Sequence, residues 1–354
     1  MRKLATIRKI DSVEKHPNAD KLDICKVGGW NVITKRDEFK SGDYGVYFEI
    51  DSFLPKKEPF LFLEGRCNKK LNGEEGYRLK TIKLRGVISQ GLLLPLNLFS
   101  ELKNVESSDG TDVTETLRIK KYEKPEINSN FSSRISKSNS KPFPSFIPKT
   151  DQERLQNLME YFETKKEVLF EVTKKLDGTS LTIYYNDGKL GVCSRNLELE
   201  DKENIYWSMV SELKLDEALE KYCQKYSRNL ALQGELCGPN IQKNRLKLNK
   251  NELFTFDIYD IDNKRYCLPE ERVKIFNEIA KDCKELKHVP IVEKSIKIFE
   301  KFRDFESLHD YVSKIKSIND TIIEGLVFKS CEYYYNEIIS FKVVNNNYLL
   351  KVED

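Results

Sequence analysis

Between residues 170 and 345, apolar runs of β type are repeatedly interrupted by a single charge. Glu171-Val172-Thr173-Lys174-Lys175-Leu176-Asp177-Gly178-Thr179-Ser180 leads into the alternation Leu181-Thr182-Ile183-Tyr184-Tyr185. Cys193-Ser194-Arg195-Asn196 lies on the strand that would return across the Asn186-Asp187-Gly188 turn. The run from Leu230 to Gly238 ends with Glu235 between two glycines and continues into Asn240-Ile241-Gln242-Lys243. The run from Leu253 to Tyr259 places Phe254 and Phe256 on one face, the run from Thr321 to Lys329 contains Glu324, and that from Ile338 to Val344 contains Lys342. A charge inside a buried strand is costly unless it is paired. One such strand is explained by an internal salt bridge, whereas a series of them points to one polar cleft assembled from several strands.

Lys175, Asp177 and Gly178 stand where a strand meets a turn. A protonated lysine is a poor nucleophile, so chemistry there requires desolvation or added positive charge, such as a metal ion. Asp177 would hold that metal through water, and Gly178 would let the backbone approach a ligand. Alone, the tetrapeptide also reads as a solvated turn, since Asp-Gly is a hairpin signal.

In their order and spacing these segments resemble the covalent nucleotidyltransferases, meaning polynucleotide ligases and mRNA capping enzymes, and most closely the ATP-dependent RNA ligases. The resemblance runs from Lys149 to the C-terminus. It implies that Lys175 takes up AMP, that Arg195 binds the AMP or its ribose, and that Glu235 holds the ribose hydroxyls. Phe256 would stack on adenine, with Phe254 as the fallback on the same face. Asp177 and Glu324 would hold Mg²⁺ or Mn²⁺, and Lys342, the second catalytic lysine, would contact the α-phosphate. Gln242 and Lys329 match polar positions of the family, Lys329 as a nucleotide-binding residue, and Lys149 and Arg154 lie in the segment that precedes the first motif and touches the nucleotide. One departure is visible: the fifth motif of the family usually reads Lys-x-Lys, and here Ser340 takes the first place. The implied cofactor is ATP, with AMP carried covalently on Lys175. The implied partners are RNA ends bearing a 5′-phosphate and a 3′-hydroxyl, nicked duplex included, in RNA repair.

Residues 1–120 are rich in short β runs, among them Asn31 to Thr34, Tyr44 to Ile50 and Gly91 to Leu94, separated by turn residues. Val13 to Val27 and Leu84 to Gly91 resemble the OB-type RNA-binding modules attached to some aminoacyl-tRNA synthetases and to one group of RNA ligases. Such modules bind oligonucleotides on one face. His16-Pro17 also reads as a plain turn starter. The expected architecture is therefore α+β in two domains: an N-terminal OB-type β-barrel (1–120), a linker (121–148), and an adenylyltransferase domain of antiparallel sheets flanked by helices (149–354). The serine-rich stretch from Asn128 to Lys141 reads as flexible or irregular, and Pro142 to Pro148 as a stiffer segment that docks on the catalytic domain. Helical periodicity falls at 151–163, 212–226, 269–282 and 304–316.

Net charge is +7 for residues 1–148 and −4 for the remainder of a chain of net +3. A basic module would gather phosphate backbone and make binding fall with salt. Lys243, Arg245, Lys247 and Lys250 form a further basic run, read either as a grip on the substrate strand or as a solvated loop. Eight cysteines without a Cys-x-x-Cys pair, accompanied by three histidines, disfavour structural zinc and suit reduced thiols in a cytoplasmic protein. No apolar run is long enough to span a bilayer, and a monomer with no membrane association is expected. The chain stops close to the fifth motif, whereas DNA ligases and capping enzymes resemble one another in carrying an OB domain beyond it. A DNA ligase of altered domain order and a noncatalytic RNA-binding protein with a degenerate nucleotidyltransferase domain are the alternatives to the RNA ligase reading. Keeping Lys175, Asp177, Glu235 and Glu324 together speaks against the second.

Overall fold

The computed structural model describes residues 2–123, 140–200 and 202–352. The chain divides into two compact units. One comprises Met1–Glu126 with Leu155–Met159 and Leu349–Asp354, the other Ile127–Arg154 with Glu160–Tyr348. Of the serine-rich stretch, 128–139 lies outside the described residues, while Ser140–Pro142 forms a strand paired with Leu197–Leu199.

In the first unit the β runs expected from the sequence form strands. Trp30–Lys35, Tyr44–Phe48 and Leu92–Pro95 each cover one of them. Strands Leu92–Pro95, Tyr44–Phe48, Ala5–Lys9 and Thr111–Asp112 make one antiparallel sheet, and Ser12–Lys15, Leu22–Val27 and Trp30–Lys35 another. Alternate residues are buried along Leu22–Val27, the period-2 signature of a sheet wet on one face. The expected closed barrel is not present among the described residues, where the strands fall into separate sheets. Beside Val87–Gln90, which belongs to another sheet, the Ile33 amide donates to the Ser89 hydroxyl at 3.0 Å. The two OB-like segments do meet. His16 is buried, with its Nε2 3.2 Å from the Leu84 carbonyl and its Nδ1 accepting from the Asn18 amide at 3.1 Å. Asn18 Nδ2 in turn donates to the Arg85 carbonyl at 2.9 Å, so His16 serves as a tie as well as standing at a turn.

The second unit holds two sheets. Its main strands are β1 (Glu153–Arg154), β2 (Phe170–Lys175), β3 (Thr179–Asn186), β4 (Lys189–Cys193), β5 (Leu230–Cys237), β6 (Glu252–Asp260), β7 (Ile291–Ile296), β8 (Gly325–Ser330) and β9 (Ser340–Val344). One sheet runs β4-β3-β5-β6 at its centre, antiparallel throughout. The other runs β1-β9-β8-β2-β7, antiparallel except that β1 lies parallel to β9. The turn at 186–188 joins β3 to β4 in the register its chemistry implies, with Asn186 opposite Lys189.

Helices α1 (Ile205–Leu213), α2 (Leu215–Tyr226) and α3 (Pro269–Ile279) pack their apolar faces on the first sheet, and α4 (Phe305–Lys314) lies against the second. Asn204 caps α1, its side chain accepting from the Tyr206 and Trp207 amides at 2.9 and 3.0 Å. Lys214, left-handed at φ 54°, separates α1 from α2. The helical expectation fails at 151–163, where the structure has β1, a 3₁₀ turn at Leu155–Asn157 and only Tyr161–Thr164 in α-helix. The apolar spacing there is satisfied by burial of Leu155 and Phe162 in an irregular segment. Phe143 and Ile147, from the proline-rich segment, pack with Tyr184, Ala231 and Tyr259.

A buried polar network crosses the interior of this unit. Arg272 Nη2 donates to Glu171 Oε2 at 2.5 Å, with both side chains almost fully buried. Arg272 Nε faces His288 Nε2 at 3.1 Å, and His288 Nδ1 lies 2.7 Å from the Val289 carbonyl. An arginine only donates, so Nε2 must accept, Nδ1 carries the proton, and the ring is neutral. Burial and the nearby Arg272 guanidinium hold the His288 pKa down at about 4.

Because the free imidazole titrates near 6.5, the folded protein prefers the neutral ring, and the stabilisation is complete only above that pH. It is lost as pH falls from about 6.5 toward 4, on the order of 3 kcal/mol in all. Thermal unfolding followed between pH 7 and pH 4 should therefore show a steep decline that is shallower in His288→Asn. Parallel curves for the two proteins would refute the assignment.

Candidate active site

Lys175 is the last residue of β2 and Thr179 the first of β3, so Leu176-Asp177-Gly178 carries the chain from one sheet to the other. Leu176 is buried with Cys237 and Phe254 and anchors the crossing. Gly178 is required by close approach, since a Cβ there would run into the Leu236 carbonyl and the Cys237 sulfur. The same holds at Gly325, where a Cβ would meet the Val343 carbonyl. Lys175 pairs with Gly325 across β2 and β8, which sets Glu324 beside the lysine. Lys175 Nζ donates to Glu324 Oε1 at 2.8 Å. Glu235, on β5, reaches the same place from the other sheet, opposite Ser180 on β3.

The electrostatics are those of a lysine surrounded by carboxylates. Burial disfavours its ammonium, but Glu324, Glu235 and Asp177 outweigh that, and the Lys175 pKa stays above the ordinary lysine value. Glu235 is pushed up to about 7, by burial first and by repulsion from Glu324 and Asp177, with Lys175 opposing. Asp177 does not face solvent freely. Arg245 Nη1 donates to its Oδ2 at 2.6 Å, and the buried Tyr348 hydroxyl donates to the same carboxylate. Burial, followed by the charges of Glu324 and Asp177, raises the Tyr348 pKa and keeps that phenol protonated.

A second constellation is centred on Asp151. Arg195 Nη2 donates to Asp151 Oδ2 at 3.2 Å, and Lys342 Nζ to its Oδ1 at 3.3 Å. Lys342 sits on β9, in register with Arg154 on β1. The segment leading to Asp151 is pinned to the first sheet: Gln233 Nε2 donates to the Pro148 carbonyl at 3.0 Å, Lys149 Nζ to Asn196 Oδ1 at 3.1 Å, and the Thr150 and Ser180 hydroxyls lie 3.2 Å apart. Cationic and anionic groups from both sheets thus line one cleft.

Phe254 and Phe256 both contact the cluster around Leu176. Phe254 is 4% exposed, whereas Phe256 is only partly buried and is the ring a ligand can reach. The ladder between β5 and β6 shifts register at Gln233/Gly234, leaving Phe256 as the extra residue of a bulge. Lys329 lies behind that bulge. Its Nζ donates to the Phe256 carbonyl at 2.9 Å and to Asp257 Oδ1 at 2.6 Å, and stands 5.6 Å from the centroid of the Phe256 ring. Of the residues singled out from the sequence, Lys175, Asp177, Glu235 and Glu324 therefore meet, as do Arg195 and Lys342. Lys329 supports Phe256 from within the core, Arg154 is buried, and Gln242 is exposed outside the cluster. Asp151, Asn196, Arg245 and Tyr348 carry contacts that the sequence reading did not assign to them. Asp151 and Glu153 are the two acids of the Pro148-to-Arg154 segment, and no sequence signal distinguishes the one that meets Arg195 and Lys342.

Among the described residues no group of three or more His, Cys, Asp and Glu side chains is arranged to hold a metal ion. The donor chemistry still suits a hard cation, since Asp177, Glu235 and Glu324 supply only oxygen.

An OB-fold domain model matches residues 4–96 and an RNA ligase model matches residues 168–344. Among solved structures the chain is similar to the Naegleria gruberi RNA ligase. It is 41% identical to that protein solved with PPi, covering 99% of this chain and 98% of the other at a TM-score of 0.87. A mutant solved with ATP and Mn is 41% identical over 100% of both chains at 0.87, and another with AMP and Mn is 40% identical over 98% of both at 0.86. No curated protein sequence matches this chain. The chain belongs to the RNA ligase family, with an OB-fold domain preceding the ligase domain. No helix among the described residues is long and apolar enough to cross a membrane.

Removing the Lys329 charge should leave Asp257 buried and unpaired. Lys329→Met is expected to lower unfolding free energy by about 3–5 kcal/mol, and Lys329→Met/Asp257→Leu to recover most of it. Denaturant titration of the two variants checks this. An equally unstable double variant would mean that the pair does more than neutralise itself.

Proposed function

We propose that this RNA ligase seals a 3′-hydroxyl to a 5′-phosphate through AMP carried on Lys175, in the repair of broken RNA. The enzyme is an ATP-dependent RNA ligase. The observation that carries the mechanism is the Lys175 amine set among Glu324, Glu235 and Asp177, with Arg195 and Lys342 gathered nearby on Asp151.

In the first step the Lys175 nitrogen attacks the α-phosphorus of ATP. A P–N bond forms, the bond to the bridging oxygen breaks, pyrophosphate leaves, and the amine loses its proton. In the second, an oxygen of the RNA 5′-phosphate attacks the same phosphorus and Lys175 is released. In the third, the 3′-hydroxyl attacks the RNA 5′-phosphorus and AMP departs. Splitting one condensation in this way is what a covalent intermediate achieves. The residues supply positioning and charge more than acid–base chemistry. Lys342 and Arg195 leave Asp151 for the α-phosphate and the nucleotide, Phe256 stacks on adenine, and Glu235 accepts from the ribose hydroxyls. Lys149 and Arg154 steady the segment alongside the nucleotide.

The Lys175–Glu324 pair keeps the amine protonated, so the attack requires that contact to loosen. Glu324 and Asp177 would hold Mg²⁺ or Mn²⁺, whose charge favours the neutral amine and offsets the anionic phosphate. The Naegleria relatives solved with ATP, AMP, Mn and PPi support this reading. The OB-fold domain, in the basic part of the chain, gathers the RNA phosphate backbone.

Incubation with radiolabelled ATP and a divalent metal should leave label on the denatured protein that withstands alkali and is released by hot acid, as a P–N bond requires. Lys175→Ala should abolish it, and label surviving in that variant would move the nucleophile elsewhere, first to Lys174. Lys342→Ala should slow label uptake by about 10²–10³-fold, the cost of losing one charged donor at a phosphoryl centre. Label from GTP in place of ATP would redirect the reading to capping chemistry.

A further inference from the structure

The basic run after Gln242 is neither solvated coil nor a uniform patch. Asn240, Gln242, Lys243, Asn244 and Lys247 all have positive φ, between 45° and 68°, in a stretch without glycine. Such a backbone persists only where its surroundings over-determine it. Here they do. Leu246 and Leu248 are buried in the cluster that contains Leu176, the residue after the nucleophile. Asn244 brackets Leu248, donating to its carbonyl at 2.8 Å and accepting from its amide at 3.0 Å, and Asn319 Nδ2 donates to the Leu246 carbonyl at 3.0 Å. The loop is held rigid, and its charges are sorted. Arg245 is fastened to Asp177, and Lys250 is paired with Glu285. Lys243 and Lys247 are exposed, and their ammonium groups have no partner among the described residues.

We propose that Lys243 and Lys247 bind backbone phosphates of the RNA strand whose 5′-phosphate receives AMP. Arg245, between them in sequence, touches Asp177, two residues from Lys175, so the loop starts at the reacting phosphorus. The groups immediately around Lys175 are the carboxylates of Asp177, Glu235 and Glu324, which repel a polyanion. Fixed cations at the edge of the cleft are what draws such a strand in. The proposal rests on the RNA ligase reading.

The test compares the full-length protein with Lys243→Gln/Lys247→Gln and with Lys243→Arg/Lys247→Arg. Binding is read by fluorescence anisotropy from about 50 to 200 mM salt. The probes are a 5′-phosphorylated RNA with a blocked 3′ end, which can only receive AMP, and a 5′-hydroxyl RNA, which can only be the acceptor. The Gln variant should bind the first probe about tenfold more weakly, with a salt slope shallower by about 1.4, and the second probe as the wild type does. The Arg variant should restore the first. Label uptake from ATP should stay at the wild-type level.

Unchanged affinity and slope for the first probe would overturn the proposal, as would a loss confined to the acceptor probe or one that arginine does not rescue. A matching fall in label uptake would overturn it too, by assigning the lysines to the departing pyrophosphate. Wild-type protein that takes no label from ATP would count instead against the ligase mechanism.

Discussion

A lysine enclosed by three carboxylates in a partly dehydrated cleft is the constraint that the catalytic unit is built to satisfy. Left unpaired, Glu324, Glu235 and Asp177 would repel one another strongly at this spacing, and the Lys175 ammonium would be expensive to bury. Together they form a balanced group that holds the Lys175 amine in its protonated form. The flanking residues make sense against that balance. Arg245 and Tyr348 hold Asp177 in place, and Asp151 keeps Arg195 and Lys342 within reach of the cleft. The resting arrangement is therefore a set of internal ion pairs in which every cation of the site already faces a carboxylate.

The interior polar network has a different purpose. Glu171, Arg272, His288, Lys329 and Asp257 are spread over β2, α3, the residues before β7, β8 and β6, and each is bonded to another member or to backbone. Buried charges of this kind contribute little net stability compared with apolar packing, but losing one partner is severe. Their value here is local. Lys329 takes up the carbonyl exposed by the bulge at Phe256 and so fixes the ring that faces the cleft.

Much of this was legible beforehand where the determinants are local. The β3–β4 hairpin follows from period-2 alternation and the Asn-Asp-Gly turn, and α3 and α4 from apolar periodicity that begins at Pro269 and at the Asp304 cap. The strand charges correctly announced a cleft. What escaped depends on contacts distant in sequence or on conformations that side-chain chemistry does not reveal. Nothing about Arg245 marks it as the partner of a carboxylate 68 positions away. The left-handed turn at 242–244 lacks the glycine that would signal it, so the sequence left a grip on the substrate strand and a solvated loop both open. At 151–163 apolar spacing imitated a helix, although β1 was to pair with β9. Lys329 was placed on the right strand, but its bonds to the Phe256 carbonyl and to Asp257 join positions 73 and 72 residues apart and left no local signal. The separate sheets of the OB-fold domain were equally hidden, since strand pairing is a tertiary event.

The crossing from β2 to β3 has a mechanical meaning as well. Three residues join the two sheets, one of them buried and one a glycine pressed against a neighbouring strand, so the connection has no slack. Any sliding of one sheet over the other changes the spacing between the Lys175 amine and Glu235. Lys175 thus sits at a rivet through the domain, and a change at the crossing would be felt in both sheets at once.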